Sequence, residues 1–84
     1  MEISGRVQGV FFRDSSWKKA GELGLVGWVK NDADGFVRIV AEGGERALQE
    51  LIAWCKDGPE HAKVERVDVK WVEPTGELDG FLIK

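Results

Sequence analysis

Cysteine and histidine are all but absent from this 84-residue sequence, with one of each. A lone Cys55 can form no internal disulfide and cannot assemble a cysteine-based metal site, which fits a reducing compartment. His61 is equally isolated: it lies in the Gly58-Pro59-Glu60 loop with no Cys or Ser partner in a catalytic arrangement, and reads as a solvated loop residue. Also missing is any apolar run near the ~20 residues of a membrane span, and no signal peptide precedes the first motif. The expectation is a cytoplasmic protein with no membrane partner. There is no excess of positive charge either. Twelve basic against 15 acidic residues leave a net charge of -3, which supplies no general field for nucleic acid or an anionic surface. Any anion has to be caught locally.

What is present points to such a local catch near the start, in Gly5-Arg6-Val7-Gln8-Gly9-Val10-Phe11-Phe12-Arg13. Two glycines four apart permit turn conformations closed to other residues, so that several N–H groups converge on one point. Val10, Phe11 and Phe12 lead into a helical segment, which places those amides at a helix N-terminus, where the dipole and unpaired donors favour negative charge. Arg13 adds a guanidinium able to grip a phosphate with two parallel hydrogen bonds. Ordinary strand-to-helix turns also contain glycine, so the spacing by itself leaves a plain turn and a phosphate cradle both open.

The length allows one domain, residues 1–84, with a core large enough for two layers. Only Met1-Glu2-Ile3-Ser4 precede the cradle, so the first strand is short. Phe12, Ser16, Ala20 and Leu23 recur at helical spacing in a segment that ends on Gly24, with Trp17 free to pack beside them. Asp14 adjoins Arg13 and could compete for it, although a helix sets neighbours about 100° apart and favours exposure of the carboxylate. Leu25–Asn31 and Phe36–Glu42 are β-branched and aromatic runs joined by Asp32-Ala33-Asp34-Gly35, a hairpin with Asp-Gly at its tip. Leu48, Leu51, Ile52 and Cys55 share one face of a second helix, which Asp57-Gly58-Pro59 stops. Val64–Val72 reads as a strand with Val67, Val69 and Trp71 on one face, and Phe81-Leu82-Ile83 as a short terminal strand. The order is βαββαβ with an extra C-terminal strand: an α+β chain with an antiparallel sheet and two helices on one face.

The run Ile3–Arg13 resembles the first signature of the acylphosphatase family, and Gly27-Trp28-Val29-Lys30-Asn31, continued by Gly35, Val37 and Gly43, resembles the second. The two occur in the family's order and separation, and the likeness runs to Gly80-Phe81-Leu82-Ile83. It implies a ferredoxin-like two-layer sandwich and metal-independent hydrolysis of small acyl phosphates to carboxylate and inorganic phosphate, with no cofactor; a monomer is expected. Residue by residue it implies catalytic Arg13 and Asn31, and phosphate binding by Gly5, Arg6, Val7, Gln8, Gly9, Val10, Phe11 and Arg13. Asn31 would orient the attacking water; by position alone it is a turn-forming amide.

Other candidates fall to plainer readings. Asp32 and Asp34 suggest a calcium loop, but counting from Gly35 as the sixth position puts Lys30 first and Ala41 twelfth, so the template fails and both are turn residues. Cys55 sits among Leu51 and Ile52 as a small core residue. The four tryptophans are scattered over helices and strands without an interleaved basic strip, which favours core packing over stacking on RNA bases. The alternative function is a non-catalytic acyl or carbamoyl phosphate binding module, like the related domain of hydrogenase maturation factors.

Overall fold

The computed structural model describes every residue from Met1 to Lys84. Its elements are strand β1 (Glu2–Arg6), helix α1 (Phe12–Glu22), strands β2 (Val26–Asn31) and β3 (Val37–Glu42), helix α2 (Glu45–Asp57), and strands β4 (Lys63–Asp68) and β5 (Phe81–Ile83). The sheet order is β4-β1-β3-β2-β5. The arrangement is the expected ferredoxin-like one, with one correction: the sheet is mixed. β1, β2, β3 and β4 pair antiparallel, whereas β5 lies parallel to β2 through Gly27↔Phe81, Trp28↔Leu82 and Val29↔Ile83. The last connection leaves β4 at one edge, crosses to the opposite edge and arrives running alongside β2, an outcome that local sequence does not encode.

Period-2 alternation sends Ile3, Val29, Val37 and Ile39 to one face of the sheet. There they join Phe12 and Ala20 of α1 and Leu51 and Cys55 of α2 in one buried cluster. Phe12, Ser16 and Ala20 form the buried stripe of α1. Ser16 is tolerated inside because its hydroxyl donates to the Arg13 carbonyl at 2.9 Å. The helix closes at left-handed Gly24, where Leu25 N–H bonds to Ala20 O at 3.0 Å and Gly24 N–H to Gly21 O at 3.1 Å. No helix is long and apolar enough to cross a membrane.

Two expectations about apolar residues are corrected. β4 ends at Asp68 and does not reach Val72. Its only partner is β1, whose Glu2 pairs with Asp68, so Val69–Val72 have the alternation of a strand but nothing to pair with. Trp71 is accordingly 57 % and Val72 71 % exposed. Of the tryptophans, Trp54 packs on Phe12 with ring centroids 5.3 Å apart. Trp28 lies half-buried on the open sheet face under Lys84 and Lys30, and Trp17 keeps an exposed ring while its Nε1 donates to Phe81 O at 2.7 Å.

Two glycines inside strands are required by close backbone approach. A β-carbon at Gly5 would run into the Lys63 carbonyl and the Glu65 amide of β4, and one at Gly27 into the Val40 carbonyl of β3. Each also has positive φ, 117° at Gly5 and 146° at Gly27.

Candidate active site

Strand register decides what meets at the end of the sheet. Ile3 of β1 and Asn31 of β2 both pair with Val37 at the start of β3, so the chain leaving β1 turns over the same edge at which β2 delivers Asn31. Gln8 fastens the two. Its Nε2 donates to Asp32 O at 2.7 Å and to Phe36 O at 3.0 Å, tying the turn after β1 to the β2–β3 turn.

Between Gln8 and α1 the backbone takes two left-handed steps, at Gly9 (φ 74°) and at Phe11 (φ 64°). Phe11 is the N-cap of α1, and no side chain caps that end. The first amide to find a helical acceptor is Ser15, at 2.9 Å from Phe11 O, which leaves the N–H groups of Phe12, Arg13 and Asp14 without intrahelical partners. A left-handed conformation at a bulky residue is strained, and such strain persists where the surrounding structure imposes it.

These residues open onto a cavity of about 220 Å³ lined by Val7, Gly9, Phe11, Phe12, Arg13, Asp14 and Asn31. Arg13, one of these lining residues, has a buried Nε with no hydrogen-bond partner in the chain, while its side chain as a whole is partly exposed. The carboxylate of Asp14 lies 3.6 Å away, too far for a hydrogen bond, and is itself mostly in solvent. Asp14 therefore balances part of the charge of Arg13 without occupying its donors.

The β2–β3 turn is stabilised without Asn31. Asp34 Oδ1 accepts from Phe36 N at 3.0 Å, and Arg38 reaches Asp32 Oδ2 at 2.6 Å, Asp34 Oδ2 at 2.8 Å and Glu2 Oε2 at 2.8 Å. Hydrogen bonds from the Arg38 guanidinium hold the carboxyls of Asp32 and Asp34 below the usual carboxylate range. Both are engaged as turn residues. A depressed carboxyl stabilises the fold above its unfolded value of about 4 and loses that contribution as pH falls through the folded value. Arg38→Met is thus expected to lower the urea midpoint at pH 7, with the gap to the parent narrowing between pH 4 and 2. A gap that stayed constant over that range would contradict the pairing.

Of the residues expected to bind phosphate, Val7, Gly9, Phe11 and Arg13 line the cavity together with Asn31, and the side chains of the others are placed elsewhere. Gly5 and Arg6 belong to β1, where they pair with Val64 and Lys63, and Gly5 lies against the β4 backbone. Gln8 spends its side-chain amide on the neighbouring turn. Val10 is buried in the core. Phe12 and Asp14 were missed as lining residues. Their signal was the helix start itself, since the first turn of α1 exposes its amides toward whatever lies beyond it.

No group of three His, Cys, Asp or Glu side chains is placed to hold a metal ion. Cys55 is fully buried and outside the cavity, and desolvation pushes its thiol up to about 12, far from thiolate reactivity at neutral pH. His61 is exposed in the turn after α2. A second cavity, about 300 Å³ between Met1, Ile39, Leu48, Ile52 and Val69–Thr75, lies at the opposite end of the sheet, is mainly apolar and holds none of the cradle.

A two-layer α/β sandwich whose first strand–turn–helix unit ends in unpaired amides and a buried, unpartnered guanidinium donor defines a small anion-handling domain, suited to a phosphoryl group. Comparison with known proteins agrees with that class and narrows it. The acylphosphatase family model matches residues 1–83, and the chain belongs to the acylphosphatase family. It is 56 % identical over 81 residues to an acylphosphatase of Roseiflexus sp. (strain RS-1), covering 96 % of this chain and 87 % of the relative. It superposes on the crystal structure of acylphosphatase from Bacillus subtilis with a TM-score of 0.95 at 40 % identity, covering 99 % of this chain and 92 % of that one. Full-length HypF in its phosphate- and nucleotide-bound form is similar over 99 % of this chain but only 11 % of its own, with a TM-score of 0.88 at 32 % identity.

Proposed function

We propose that the cradle cavity carries out the reaction of the family, hydrolysis of the carboxyl–phosphate bond of a small acyl phosphate to carboxylate and inorganic phosphate. The observation that supports this location is the Arg13 side chain, which makes no hydrogen bond within the chain and lines the same cavity as the uncapped start of α1 and Asn31. In this reading the amides of the first turn and the Arg13 fork hold the phosphoryl oxygens and match the charge that develops there. The Asn31 carboxamide donates and accepts without carrying charge, so it can orient a water beside an anion. Water oxygen bonds to phosphorus as the phosphorus–acyl oxygen bond breaks, and the bonding pair leaves with the carboxylate. The water proton passes to a phosphoryl oxygen of the substrate. A carboxylate is a good leaving group, which is why the site needs neither a general acid nor a cofactor.

A binding module that senses acyl or carbamoyl phosphate without turnover would use the same cradle. The hydrolase is favoured by identities of 40–56 % to proteins described as acylphosphatases against 32 % to HypF. We further read residues 1–84 as one unit acting as a monomer in the cytoplasm; the single, free buried thiol supports a reducing compartment.

Phosphate release from acetyl and benzoyl phosphate tests the proposal. Turnover is expected to survive a strong chelator, and to persist near the parent rate in Cys55→Ala and His61→Ala. Cys55→Ala costs about 1 kcal/mol in lost packing, so rates are compared well below its melting temperature. Loss of activity on chelation that one divalent ion restores, or an inactive but folded His61→Ala, would overturn the mechanism.

A further inference from the structure

Phe11 carries two separate costs at one position. Its ring is 73 % exposed, which forgoes the burial an aromatic side chain ordinarily gains. Its φ of 64° is left-handed, a conformation that glycine or asparagine adopts far more readily. The next residue shows the contrast. Phe12 is 1 % exposed and packs on Trp54, so the core needs that phenylalanine and makes no demand for Phe11. The ring of Phe11 instead stands at the cavity that Arg13 and Asn31 share.

We propose that Phe11 is a specificity-determining residue, its ring forming an apolar wall against which the acyl group of the substrate lies. The inference rests on the hydrolytic reading. With the phosphoryl oxygens at the helix amides and Arg13, the acyl oxygen must leave in line with the attacking water and away from it, so the acyl group projects outward past the rim. Among the residues lining the cavity, Phe11 is the exposed aromatic one, and its left-handed backbone turns the ring out of the core. An aromatic or extended acyl group would bury apolar area against it and meet its π-face; an acetyl group is too small to gain much from either. The substrate class so favoured is aroyl and longer-chain acyl phosphates.

The test is the ratio of kcat/KM for benzoyl phosphate to that for acetyl phosphate, because a loosened cradle affects both substrates and cancels. Phe11→Asn, which tolerates the left-handed backbone, is expected to lower the ratio about tenfold, and Phe11→Leu, which keeps apolar bulk, by about threefold. A ratio within about twofold of the parent in Phe11→Asn, with the parent hydrolysing both substrates, would overturn the inference and leave the hydrolytic reading standing. A parent that hydrolyses neither substrate would overturn both.

Discussion

Arg13→Ala is expected to lose at least about 100-fold in kcat/KM for acyl phosphates, by analogy with removal of one preorganised donor from an oxyanion site. The variant should remain folded. The Arg13 side chain makes no hydrogen bond to the rest of the protein, and its one ion-pair neighbour is the exposed Asp14 at 3.6 Å, so truncation breaks little that holds α1 in place. Arg13→Lys should not restore the rate. An ammonium is a point charge on a flexible stem and lacks the fork that aims two donors at adjacent phosphoryl oxygens. Inorganic phosphate should also bind more weakly to both variants, because the same donors hold the product. Near-normal turnover by folded Arg13→Ala, followed as phosphate release, would remove the guanidinium from the mechanism.

Asn31→Ala is expected to behave differently. Asn31 ends β2 and opens on the cavity, while the side-chain hydrogen bonds of the adjacent turn come from Gln8, Asp34 and Arg38. Its removal should therefore spare the turn and the phosphate cradle but leave water unplaced. The expected result is a fall in kcat of about 100-fold or more with the inhibition constant for inorganic phosphate changed little. Equal loss of turnover and phosphate affinity would make Asn31 a binding or structural residue, and full activity would reduce it to the end of a strand. Comparing the two variants separates charge stabilisation from water positioning.

Much of this was legible in the sequence, and the reasons are local. β-Branched runs around an Asp-Gly turn specified the β2–β3 hairpin, and the 3.6-residue spacing of Phe12, Ser16 and Ala20 and of Leu51, Ile52 and Cys55 specified the buried faces of both helices. Arg13 and Asn31 were singled out through motifs that are distant along the chain, and strand register brings them to one edge. The failures share a cause, which is that a strand depends on a partner its own residues do not encode. Val69 and Trp71 alternate correctly but β1 does not extend to pair with them. Phe81–Ile83 carries no mark of running parallel to β2. That Gly5 is required by its proximity to the β4 backbone is visible only once β1 and β4 are side by side.

Direct attack at phosphorus is the step on which the roles of Arg13 and Asn31 both depend. It is tested by hydrolysing acetyl phosphate with the purified chain in ¹⁸O-labelled water and locating the label by mass spectrometry. Label in the inorganic phosphate, released over many turnovers with none in the acetate, is the expected result. Label in the acetate would mean attack at the carbonyl carbon, where neither residue acts as described, and release of no more than one phosphate per chain would mean a binding module in place of an enzyme.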